Sequence, residues 1–94
     1  MTNPERDMDD RKVYWHSRRG MAELDVLLMP YSSEVYPTLT DLERGEFKRL
    51  LAAEDADLFA WFMGHATPDD AGFQAVIDQV LAYARTRHET AHST

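Results

Sequence analysis

Apolar residues recur along this chain three and four positions apart, and no stretch alternates with period two for long enough to suggest a strand. The pattern predicts an all-α fold. A first helix is expected from about Arg6 to Arg18, with Val13 and Tyr14 among its few apolar residues. Arg18 and Arg19 fall near its carboxyl end, where cations complement the helix dipole. Gly20 is expected to stop it, because only glycine enters the left-handed region without a Cβ clash. A second helix begins near Met21 or Ala22 and carries the stripe Leu24, Leu27, Leu28, Tyr31 and Val35. Pro30 lacks a backbone donor and predicts a bend or break in that helix.

Thr40-Asp41-Leu42-Glu43 reads as a capping box that opens a third helix, which turns Phe47, Leu50 and Leu51 inward and ends around Ala53. Asp55 is expected to cap a short fourth helix that buries Leu58, Trp61 and Phe62. His65 is read as a half-buried packing residue at its end, closed by Gly64 and Pro68. Asp69 or Asp70 can cap a fifth helix with the stripe Phe73, Val76, Ile77, Val80, Leu81 and Ala84. The expectation is a compact bundle of five short helices in a single domain. Its ordered core should run from about Arg6 to Thr86, with a frayed polar tail from Arg87 to Thr94.

Length and charge narrow what such a bundle can do. A chain of 94 residues holds only a small core, and a large internal substrate cavity would hollow it out. The formal net charge of −7 argues against a nucleic-acid partner, whose phosphates must be met by Lys and Arg. There is no cysteine, hence no disulfide framework and no thiolate metal site. Residues Met1 to Asp10 lack an apolar signal core and are too acidic for a mitochondrial presequence, and no apolar run is long enough to span a bilayer. A cytoplasmic bacterial protein with no direct membrane insertion is expected.

Catalytic motifs are scarce. His88-Glu89-Thr90-Ala91-His92 matches the H-E-x-x-H pattern in which two histidines on one helical face share a zinc ion. Only two residues follow His92, so the downstream third ligand is missing, and no metal site is expected. Ser17, Ser32, Ser33 and Ser93 sit in no elbow or triad pattern, and Gly20, Gly45, Gly64 and Gly72 never cluster into a phosphate loop. No catalytic residue and no stably bound cofactor are expected.

What stands out instead is Arg18-Arg19-Gly20-Met21-Ala22-Glu23-Leu24-Asp25, which sets two cations, a glycine and two carboxylates at the break between two helices. Trp15 precedes it among Arg11, Lys12, His16, Arg18 and Arg19, and an aromatic flanked by arginines is the composition of an interface hot spot. The same residues admit a plainer account. Trp15 could close the bundle, Gly20 could be a helix cap, and Arg19 and Glu23 could form a surface pair worth well under about 1 kcal/mol. On residues alone three classes stay open: a docking or assembly protein, a small metallopeptidase, and an antitoxin-like helical regulator. The second lacks a third ligand, and the third lacks a basic recognition helix.

Trp15 to Asp25, with its R-R-G-M-x-E-L-D core, resembles the signature of the SdhE family, the FAD assembly factors of succinate dehydrogenase. Leu28-Met29-Pro30-Tyr31, the segment Leu39 to Leu51, and Asp55-x-Asp57-Leu58-x-x-Trp61 are similar to the rest of the family's pattern, from about Val13 to Asp70. Ala22 occupies a variable position of the motif. The resemblance implies a five-helix bundle that binds the flavoprotein subunit of succinate dehydrogenase, and of fumarate reductase as a second client, and promotes covalent attachment of FAD to a histidine of that subunit. The FAD belongs to the client, and the factor is not an enzyme. It also implies partner-binding roles for Arg19, Gly20 and Glu23, with Arg18, Met21 and Asp25 flanking them and Trp15 beside them. The free factor is expected to be a monomer.

Overall fold

The burial of each helix's apolar stripe determines the architecture. A computed structural model describes residues 4–92, with side chains described as far as His88. Its elements are α1 (Pro4–His16), α2 (Ala22–Glu34), a 3-10 turn (Tyr36–Thr38), α3 (Asp41–Leu51), α4 (Asp55–Phe62) and α5 (Ala71–His92). Among the described residues there is no strand. Helix α2 is central: it packs against α1, α4 and α5, while α3 closes on α5. The core is built from Leu24, Leu28 and Tyr31 of α2, Phe47, Leu50 and Leu51 of α3, Leu58 and Phe62 of α4, and Val76, Ile77 and Val80 of α5. Tyr36 enters from the 3-10 turn, and Tyr31 and Tyr36 both stack near Phe47, with ring centroids 5.2 and 5.6 Å apart.

The expected end signals are partly realised. Thr40 and Glu43 form the predicted reciprocal box, the Glu43 amide donating to Thr40 Oγ1 at 3.2 Å and the Thr40 amide to Glu43 Oε1 at 2.9 Å. Asp70 Oδ1 accepts from the Gly72 and Phe73 amides at the start of α5, at 2.7 and 3.3 Å. Glu54, not Asp55, stands at the N-cap of α4 and makes no side-chain cap bond. Asp55 is instead the first helical residue, and its carboxylate is engaged elsewhere. His65 is exposed, its ring set roughly perpendicular to that of Phe59 with centroids 6.0 Å apart, so it is not the half-buried residue expected. The chain has already left α4 at Phe62 and turned through Gly64, whose φ is +78°, which carries His65 off the core.

Two further differences bear on the site. Helix α1 ends at His16, before the cationic pair, and its last turn is closed by Ser17, whose hydroxyl and amide both donate to the Val13 carbonyl, at 2.8 and 2.9 Å. Gly20 is therefore not the cap of α1. Helix α2 runs undivided through Pro30, since Leu28 and Tyr31 on either side of it are anchored in the same core. At the other end, α5 continues as a helix to His92 through the stretch expected to fray, and Arg87 pairs there with Glu34 at 2.8 Å. Ser93 and Thr94 lie outside the described residues.

Helix α1 buries a single apolar residue, Val13. Polar ties hold the rest. Arg44 of α3, only 4% exposed, reaches Asp9 and Asp10 of α1, each at 2.9 Å, and lies over the Tyr36 ring. Asp9 also accepts from the Tyr36 hydroxyl at 2.6 Å and pairs with Lys48 at 2.7 Å. Burial pushes the Asp9 carboxyl up, but the bonds from Lys48, Tyr36 and Arg44 outweigh it and hold the group below its ordinary value.

Candidate docking site at the junction of the first two helices

The five residues between α1 and α2, with the first turn of α2, carry the sequence's most distinctive motif, and the fold turns its side chains to different fates. Gly20 adopts φ +81°, the left-handed region, and a Cβ built there would meet nothing within 4 Å. It is exposed, so its need for glycine comes from the backbone conformation and not from crowding within the chain. Arg18 is exposed, as is Glu23 in the first turn of α2. Met21 is the N-cap of α2 and packs partly against the core. Its carbonyl accepts from the Asp25 amide at 2.8 Å.

Arg19 departs from expectation. Its side chain is 13% exposed and faces inward, donating from Nη2 to the Leu51 carbonyl and pairing through Nη1 with Asp55 at 3.4 Å. Its backbone amide donates to Asp25 Oδ1 at 2.7 Å. The surface pair between Arg19 and Glu23 is thus replaced by a link to α3 and α4. The physical reason is that the last carbonyls of α3 lack intrahelical partners, and a guanidinium satisfies one while meeting the carboxylate that opens α4. Burial, and then the Arg19 charge, lower the His16 imidazole from its ordinary value.

Trp15 is 62% exposed and meets Tyr14 edge to face, with centroids 5.6 Å apart. It does not close the bundle. Val26, outside the buried stripe of α2, is 67% exposed. It lines an open groove of about 520 Å³ together with Tyr14, Asp25, Met29 and Pro30. An apolar residue off the stripe was the signal in the sequence that could have extended the candidate surface to Val26. Asp55 and the Leu51 carbonyl could not have been found that way, because the Arg19 contacts cross 32 or more positions.

The arrangement offers exposed Trp15, Arg18 and Glu23 around an open left-handed glycine, a surface suited to a protein partner approaching closely at Gly20. Buried Ser17 and Ser32 spend their hydroxyls on the Val13 and Met29 carbonyls. Among the described residues no group of three or more His, Asp or Glu side chains could hold a metal ion, and no helix is long and apolar enough to cross a membrane. His88 is exposed on α5, and the remaining side chains of the H-E-x-x-H pattern lie outside the described residues.

Fold and site together define a small helical bundle that presents an exposed polar junction. A family model described as flavinator of succinate dehydrogenase matches residues 11–84, and the chain belongs to that family. A FAD assembly factor SdhE of Pseudomonas savastanoi pv. phaseolicola is 51% identical over 75 residues, covering 80% of this chain and 89% of that protein. The FAD assembly factor SdhE of Vibrio cholerae is 43% identical over 72 residues, covering 77% and 84%. The solution structure of a UPF0350 protein matches with a TM-score of 0.68 at 37% identity, covering 98% of this chain and 95% of that one.

Proposed function

We propose that this protein binds the flavoprotein subunit of succinate dehydrogenase and promotes its covalent flavinylation. The observation that carries the reading is the R-R-G-M-x-E-L-D junction, displayed around an exposed left-handed Gly20 within a chain that matches the flavinator family over residues 11–84. In this reading the flavin bond forms within the client. The factor contributes binding, holding the client and its FAD in a competent arrangement, and is an assembly factor without catalysis of its own. FAD stays with the client, and the free factor is a monomer in the bacterial cytoplasm. Fumarate reductase's flavoprotein is proposed as a second client.

Trp15, Arg18, Gly20 and Glu23 are the proposed contact residues, with Arg19, Met21 and Asp25 shaping the surface from below. The test is complementation in cells lacking their own factor. Expression of this chain should restore covalent flavin on the succinate dehydrogenase flavoprotein, read as in-gel flavin fluorescence at unchanged client abundance. A well-expressed chain that restores none would refute the reading.

A further inference from the structure

The junction is short and bears little apolar contact of its own, so its conformation has to come from polar ties. Three converge on one residue. The Arg19 amide is held by Asp25 in the first turn of α2, and its guanidinium by the Leu51 carbonyl that ends α3 and by Asp55, the first residue of α4. The side chain is thereby drawn beneath the loop, while its neighbours Arg18 and Gly20 are left exposed. Asp55 lies 36 positions from Arg19 in sequence, outside the junction, and is its ion-pair partner.

We propose that Asp55 is a positioning residue for the docking junction: through Arg19 it presets the loop in which Arg18 and Gly20 face the client. This rests on the assembly-factor reading above. A loop ordered before the encounter spares the complex the entropy of ordering it on binding, so the benefit falls on affinity and not on the events that follow binding. Asp55 need not touch the client.

The test uses the full chain with Asp55→Ala and Asp55→Glu. Amide hydrogen exchange reads the loop at the Arg19 N–H and the core at Leu28 and Val80. Flavinylation of the apo flavoprotein subunit with FAD is followed against factor concentration. In Asp55→Ala the Arg19 amide should exchange roughly tenfold faster with the core amides unchanged, and the half-saturating concentration should rise by about tenfold at an unchanged plateau rate. Asp55→Glu, which keeps a carboxylate within reach, should recover most of both. An unchanged half-saturating concentration overturns the proposal. So does a raised one with unchanged Arg19 exchange, which would mean direct contact, or loosening of the core amides alongside Arg19, which would make Asp55 a residue of general stability. If the unsubstituted chain fails to promote flavinylation, the assembly-factor reading falls, while the exchange measurement still decides whether Asp55 orders the loop.

Discussion

Arg44 of α3 and Asp9 of α1 lie 2.9 Å apart, and this pair, with the neighbouring bonds to Asp10, Lys48 and Tyr36, ties α1 to α3 and to the 3-10 turn. Because Asp9 is held below its ordinary carboxylate value in the folded chain, the stability it contributes is present above the unfolded value, near 3.8, and is lost as pH falls through the folded value. Acid titration followed by circular dichroism should therefore show a loss of helix below about pH 4 that is smaller in Asp9→Asn, a variant already less stable at pH 7. An identical acid transition in both proteins would contradict this.

Arg44→Met removes the cation that Asp9 and Asp10 of α1 share. Breaking a fully buried pair costs about 3–5 kcal/mol, and since Asp9 and Asp10 keep about a quarter of their side-chain surface in water, a cost of about 2 kcal/mol is expected. Urea denaturation, compared at equal m-value, measures it.

Gly20→Arg separates folding from docking. A Cβ at Gly20 would meet nothing within 4 Å, and the site is exposed, so the expected cost is the left-handed strain of about 1 kcal/mol. The variant should fold but leave its client with little covalent flavin at normal client abundance. Full flavinylation by the folded variant would remove the junction from the working surface.

Trp15→Ala should change stability by under about 1 kcal/mol, since most of the ring is already in water, whereas a core Trp would cost about 3–5 kcal/mol. Affinity for the flavoprotein should fall by about 2 kcal/mol or more, the mark of a hot-spot aromatic. Calorimetric titration of the two purified partners reads this directly.

The isolated chain should bind neither FAD nor a structural metal. Titration with FAD is expected to leave flavin fluorescence unchanged. A stoichiometric flavin complex, or zinc that survives chelation together with peptidase activity lost in His88→Ala, would reopen the enzyme reading.

Helices α2 to α5 were legible because each carries a stripe of its own: Leu24, Leu28 and Tyr31 or Val76, Ile77 and Val80 repeat at helical spacing, and the Thr40 box announces the start of α3. The junction motif was legible as a sequence, but the direction of its side chains was not. Arg19 and Arg18 are equivalent cations in a string of letters, and only the ends of α3 and α4, brought beside the loop by packing, draw one inward and leave the other out. The anchoring of α1 was invisible for the same reason, since Arg44 and Asp9 stand 35 positions apart and ion pairs have no periodicity.

Because Arg44 is buried, the first turns of α1 cannot lose their charge without cost: the cation they cover would be left without its carboxylates. The matched family region begins at residue 11, one position past Asp10, so it leaves out both carboxylates that grip Arg44. The first turns of α1 and Arg44 of α3 are thus bound to each other, and a chain that exchanges one has to exchange the other. Relatives that lack carboxylates at the positions of Asp9 and Asp10 should also lack the arginine at the position of Arg44.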